Sequence, residues 1–176
     1  AKNYPEQQFA LIDAVCEGEQ PENVTSLLFE DNASAYLTGL IAGKMTETNK
    51  VGFIGGMESP VISKFDYGFR AGVKAANPDA EVMVQYANSF TDSALGKTIA
   101  NQMHSKNADI IFTCAGAVGI GAIEAAKENG KKAIGVDQDQ NALAPDNVIT
   151  SAMKNIDVAV LELLSKVVDG SYKGGE

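Results

Sequence analysis

Hydrophobic and polar positions along the chain follow two alternating rhythms. Short apolar runs of four to seven residues alternate with longer segments in which apolar residues recur mostly three and four apart. The first rhythm predicts buried strands and the second amphipathic helices, so their alternation predicts βα units on a mainly parallel sheet. Seven strands are expected, at 9–13, 24–29, 51–55, 81–87, 109–115, 132–137 and 148–153. Between them, Tyr36, Leu37, Leu40, Ile41 and Met45 mark a first helix with Asp31 as its candidate cap. Ile62, Phe65, Phe69, Val73 and Ala76 mark a second. It stops at Asn77-Pro78, because proline disfavours helical geometry in the residue before it. Leu95, Ile99 and Met103 mark a third. Residues 117–129 form a fourth, rich in Ala and Gly so that its backbone can lie close to a sheet, and it ends at Gly130. A fifth carries Ile156, Val160, Leu163, Leu164 and Val167 and ends at Gly170.

The polar stretch Thr46-Glu47-Thr48-Asn49-Lys50 falls between a complete helix and a new strand, which predicts a domain boundary there. On that reading residues 1–46 are part of an amino-terminal lobe, 50–170 a carboxy-terminal α/β lobe and 171–176 the start of a return segment. Both ends read as cuts through a larger protein. The opening residues show no basic and apolar leader pattern.

Composition narrows the function. The 176 residues are 45% hydrophobic and 21% charged, the balance of a globular protein rather than a disordered or membrane-spanning one. With 23 acidic against 14 basic side chains the net charge is -9, which argues against nucleic acid as a partner. One histidine and two cysteines exclude His-rich metal sites and a disulfide framework. Cys16 and Cys114 lie in different predicted units and are expected as free thiols.

In open parallel sheets, ligands bind beyond the carboxyl ends of the strands. The residues at those ends are Asp13, Gly55-Gly56-Met57, Asn88-Ser89-Phe90, Gly116, Asp137 and Lys154. Carboxylates, an ammonium, an aromatic ring and glycine-exposed amides suit a polar small molecule with a flat ring and hydroxyls. Each also has a structural use: the aspartates as caps, Phe90 as a core ring, Lys154 as a solvated lysine, the glycines in tight turns. Gly116-Ala117-Val118-Gly119-Ile120-Gly121 lacks both the dinucleotide and the P-loop spacing. It supports only a helix start that favours ligand oxygens. Asp137-Gln138-Asp139-Gln140-Asn141 begins like a calcium loop, but Ala142 and Val148 stand where glycine and glutamate belong. No cofactor is called for. His104, among Gln102, Ser105 and Lys106, is expected at the surface.

Two tracts point to a family. Ala35-Tyr36-Leu37-Thr38-Gly39-Leu40-Ile41-Ala42-Gly43-Lys44-Met45 and Val51-Gly52-Phe53-Ile54-Gly55-Gly56-Met57 closely resemble the basic membrane protein family, lipoproteins that serve ABC importers as substrate-binding components. Phe69-Arg70-Ala71-Gly72, Ser89-Phe90-Thr91-Asp92, Cys114-Ala115-Gly116-Ala117-Val118-Gly119, Gly135-Val136-Asp137-Gln138-Asp139-Gln140 and Thr150-Ser151-Ala152-Met153-Lys154 extend the resemblance in order. It implies a type I periplasmic-binding-protein fold, α/β with helices on both faces of each parallel sheet, here with the amino lobe incomplete. It also implies extracytoplasmic, lipid-anchored capture of a purine nucleoside (inosine, guanosine or adenosine) for delivery to an ABC permease. By that resemblance Phe90 stacks on the base, Gly116 and Asp137 lie against the ribose, Lys154 reaches the same region, and Asp13 lies near the base. Family members carry further residues before Ala1 and after Glu176, including a second stacking aromatic. This chain is therefore expected to bind weakly and to self-associate through apolar surface around Tyr36, Leu40 and Ile41. A nucleoside-processing hydrolase and the ligand-sensing core of a transcription regulator are the alternative readings.

Overall fold

The computed structural model describes residues 1–16 and 18–175. In chain order its elements begin with β1 (Phe9–Ile12), β2 (Val24–Leu27), α1 (Asp31–Met45), β3 (Lys50–Gly55), α2 (Pro60–Ala76) and β4 (Glu81–Tyr86). They continue with α3 (Ser93–Ser105), β5 (Ile110–Cys114), α4 (Ala117–Glu128), β6 (Lys132–Asp137), β7 (Val148–Met153) and α5 (Ile156–Val168). The chain divides into two compact units, Ala1–Phe29 with the carboxy-terminal residues from Asn155, and Glu30–Lys154.

The larger unit is a five-stranded parallel sheet in the order β4-β3-β5-β6-β7. Its central strands are buried on both faces, which is why they read as continuous apolar runs. Phe53 on β3 and Phe112 on β5 meet Phe69 of α2 on one face, with ring centroids 5.7 Å apart for Phe53–Phe112 and 5.2 Å for Phe69–Phe112. Ile54 and Ile111, one residue along, point the other way and pack with Ile99, Met103 and Val118 of α3 and α4. That inversion is the period-two alternation of a strand at work. Helix starts are chemically marked: Ile62 N donates to Ser59 Oγ at 3.3 Å ahead of Pro60, and Leu95 N to Asp92 Oδ1 at 2.9 Å.

The division differs from the boundary expected at 46–50. Helix α1 packs on α2 in the larger unit, along a seam in which a Cβ on Gly39 would collide with the Phe69 carbonyl and one on Gly72 with the Tyr36 carbonyl. The polar stretch is itself tied to that unit. The Asp109 carboxylate accepts from Thr46 Oγ1 at 2.8 Å, from Glu47 N at 2.7 Å and from Thr48 N at 3.1 Å. What reads as a linker is a hydrogen-bonded corner.

In the smaller unit β1 and β2 pair in parallel. Asn23 Nδ2 donates to the carbonyls of Tyr4 at 2.9 Å and Gln7 at 2.7 Å, and Thr25 Oγ1 donates to Tyr172 Oη at 2.9 Å. Gly175 N donates to the Val24 carbonyl at 2.8 Å, so the last described residues run beside β2. Helix α5 belongs to this unit and buries no residue. No helix among the described residues is long and apolar enough to cross a membrane.

Candidate functional site

At the carboxyl edge of the larger sheet three successive strand ends turn through left-handed backbone. Asn88 (φ 54°) follows β4, Gly116 (φ 57°) follows β5 and Asp137 (φ 67°) closes β6. Asn and Asp tolerate this region, whereas Gly116, with ψ -127°, lies where a side chain would be strained. Such clustering of costly backbone is typical of sites where geometry serves a ligand.

Phe90 sits among these turns. Ser89 Oγ accepts from Thr91 N at 3.1 Å and Asp92 N at 3.2 Å, while Asp92 caps α3. The Phe90 carbonyl accepts from Ala117 N at 2.8 Å, the first amide of α4. Flanking residues thus fix the main chain at 90, and the ring lies against Gly56 with 36% of the residue exposed. It is neither a core ring nor a fully solvated one. Gly116 is its neighbour: a Cβ there would come within 2.8 Å of the Phe90 carbonyl oxygen.

Asp137 and Lys154 form the other end of the edge. Lys154 N donates to the Asp137 carbonyl at 2.8 Å. The Asp137 residue is exposed, and the loop after it is pinned by Gln140, whose Oε1 accepts from Val136 N at 3.0 Å. Asp139 accepts from Asn141 N at 2.9 Å, closing a local turn. Lys154 is not a solvated lysine. Its Nζ lies 3.0 Å from Asp31 Oδ1, with both side chains almost fully buried, and 5.3 Å from the centroid of the Phe65 ring. An ammonium leaves water only when a carboxylate and an electron-rich ring face it. Asp31 is accordingly no cap: Glu30 holds the cap position without a side-chain bond, and Asp31 turns inward from the first helical turn.

Cys114 lies beneath this edge. Burial, reinforced by the Asp137 carboxylate and opposed by Lys154, pushes its thiol well above the ordinary range, so it is a neutral packing group and not a nucleophile. Both cysteines are free. His104 overturns the surface expectation, being 7% exposed. Its ring folds over the end of α3 and Nδ1 pairs with the Ala108 carbonyl at 2.9 Å, which requires the Nδ1–H tautomer. Asp13 belongs to the smaller unit, directly after β1, at φ 57° with its amide donating to Leu27 O at 3.0 Å.

Phe90, Gly116, Asp137 and Lys154 therefore share one edge of one sheet. Sequence reasoning missed Asp31 and the seat provided by Gly56. An acidic residue opening a helix rich in apolar residues was the available signal for the first. For the second the signal was a glycine directly after a strand.

The chain has known relatives. Residues 1–176 match the family described as ABC transporter substrate-binding protein, PnrA-like. The chain belongs to that family. Among its relatives are the ABC transporter nucleoside-binding protein BmpA of Lactococcus lactis subsp. cremoris (strain MG1363), 43% identical over 99% of this chain and 54% of that protein. Basic membrane protein A of Borreliella burgdorferi (strain ATCC 35210 / DSM 4680 / CIP 102532 / B31) is 42% identical over 98% and 52% respectively. A solved ABC transporter solute-binding protein from Aeropyrum pernix K1 superposes with a TM-score of 0.92 at 34% identity, covering 98% of this chain and 51% of that one. The fold is accordingly that of the type I periplasmic binding proteins, present in part. The chain spans about half the length of the curated relatives it matches. PnrA-like proteins are substrate-binding components and not enzymes, which removes the hydrolase reading.

Proposed function

We propose that this chain carries one side of a purine nucleoside site in an extracytoplasmic, lipid-anchored receptor that delivers its ligand to an ABC permease. The observation that carries the reading is the Phe90 ring, part-exposed at the sheet edge and seated on Gly56, beside the turn at Gly116. A flat base stacks on such a ring, and stacked geometry is specific to aromatic ligands. Asp137, exposed at the end of β6 with β3 and β5 between it and β4, accepts from ribose hydroxyls; Gly116 leaves room for the sugar; Lys154 supplies a fixed positive charge behind them. In the full-length receptor Asp13 is a further ligand contact. The Lactococcus lactis relative is named a nucleoside-binding protein, which supports the same ligand class.

Ligand capture in two-lobed receptors draws contacts from both lobes, which is what favours the closed state. On this proposal Glu30–Lys154 belongs to the carboxy-terminal lobe, and Ala1–Phe29 with the residues from Asn155 to part of the amino-terminal lobe. The half-site therefore binds inosine, guanosine or adenosine far more weakly than the intact receptor does. Calorimetric titration with the three nucleosides tests this. Saturable, weak heats whose affinity falls by about tenfold in Phe90→Ala are expected; silence with all three, or undiminished binding by the variant, would sink the assignment. Tyr36, Leu37, Ile41 and Met45 leave an apolar stripe exposed on α1, and patches of this kind promote self-association. Sedimentation should show concentration-dependent oligomers, and a single monomeric species across concentrations would refute that.

A further inference from the structure

We infer that Gly56 is a positioning residue of the ligand site, the seat that sets the height and tilt of the Phe90 ring. The inference rests on the nucleoside reading above and adds a residue to it. The three atoms nearest to a Cβ built on Gly56 all belong to the Phe90 ring, and all lie closer than real Cβ atoms tolerate. Backbone conformation does not explain the glycine. Gly56 is absent from the positive-φ positions, which include Gly116 and Gly130, so its φ does not itself call for glycine.

The backbone at 56 cannot yield either. Gly56 N donates to the Cys114 carbonyl at 3.0 Å, and the Gly56 carbonyl accepts from Asn88 N at 3.0 Å, so the residue is pinned between the ends of β5 and β4. The main chain at 90 is equally fixed, through the 2.8 Å bond from Ala117 N and the Ser89 turn. With both backbones held, the side-chain torsions of Phe90 are the remaining freedom. A methyl group at 56 must therefore rotate or lift the ring. The face that a planar ligand meets then moves, while the sheet and the helices stay in place. Gly116 differs, because its conformation alone demands glycine.

The test combines a structural and a binding arm on the whole chain. In NMR spectra, ring protons of Phe90 should show cross-relaxation to the Gly56 α-protons. In Gly56→Ala those contacts and the ring shifts should change while backbone shifts in β3, β5 and α4 stay near wild type. In titrations with inosine, Gly56→Ala should weaken binding by about tenfold, the order of a lost base–aromatic stack. In a Phe90→Leu background the same substitution should cost nothing further, since no ring remains to be seated. Unchanged ring contacts in Gly56→Ala, or an equal loss of affinity in both backgrounds, would overturn the inference. If Gly56→Ala fails to fold, the double variant Gly56→Ala/Phe90→Leu should recover the fold; failure of both shows that glycine serves the backbone and rejects the seat. If the wild-type chain takes up no purine nucleoside, the functional proposal fails, and the ring contacts still decide the role of Gly56.

Discussion

Replacing Lys154 with methionine would leave the Asp31 carboxylate in the interior without the ammonium it faces at 3.0 Å. Breaking a buried pair from one side costs more than forming it gains, so Lys154→Met should lose about 3 kcal/mol in urea denaturation. The double variant Lys154→Met/Asp31→Asn should lose less. A double-variant loss equal to the sum of the losses in Lys154→Met and Asp31→Asn would show that the two charges are energetically independent. His104 gives the residue scale a pH dependence. Burial, helped by Lys131 and opposed by the Ala108 hydrogen bond and Asp109, lowers its folded pKa below the usual histidine value. As pH falls, the unfolded chain therefore takes up this proton first, so His104 removes stability on acidification below about 6.5. His104→Gln should flatten the change in unfolding free energy between neutral and mildly acid pH. A variant with the wild-type slope would rule the histidine out. Residue identity was legible at Phe90, Gly116 and Asp137 because a strand end followed by a ring, a glycine or an aspartate is a local pattern. His104 was misjudged as a surface group and the burial of Lys154 was not foreseen, because both depend on Asp31, Phe65 and Ala108, brought in by other elements or by a turn.

Between elements, glycine decides how closely helices approach. Gly39 of α1 faces Gly72 of α2, Gly43 lies against Val73 and Ala76, and Gly68 against Asn32 and Ala35, while Gly96 and Gly121 bring α3 and α4 together in the same way. A Cβ at Gly72 would stand 2.9 Å from Leu40 N and also meet the Tyr36 carbonyl, with backbone rather than flexible side chain on the far side. Gly72→Val should therefore destabilise by roughly 3 kcal/mol or more, as an overpacked interior does, measured as a lowered denaturation midpoint at unchanged slope. A midpoint within error of wild type would show that the helices can part at little cost. The spacing Gly39-x-x-x-Gly43 and Gly68-x-x-x-Gly72 is visible in the sequence. What it joins is not, since either pair could have met a strand, as Gly119 meets Thr113.

For the whole molecule, order should be uneven. The buried clusters lie almost wholly in Glu30–Lys154, whereas α5 buries nothing and leaves Leu161, Leu164 and Val168 more than half exposed. Amide hydrogen exchange should be slowest in β3 and β5 and fast in β1, β2 and α5, because opening free energy follows buried contact density. Uniform protection across both units would contradict this. Among the described residues the seven strands, the five α-helices and their alternation followed from the sequence, because burial on both faces writes an apolar run and burial on one face writes a period. Partner choice needed the tertiary structure. That α1 joins the larger unit, that Asp31 answers Lys154 from 123 positions away, and that Gly56 carries the Phe90 ring are contacts between residues distant in sequence or separated by a turn. No local rule contains them, because a side chain's period records that it is buried and not against what.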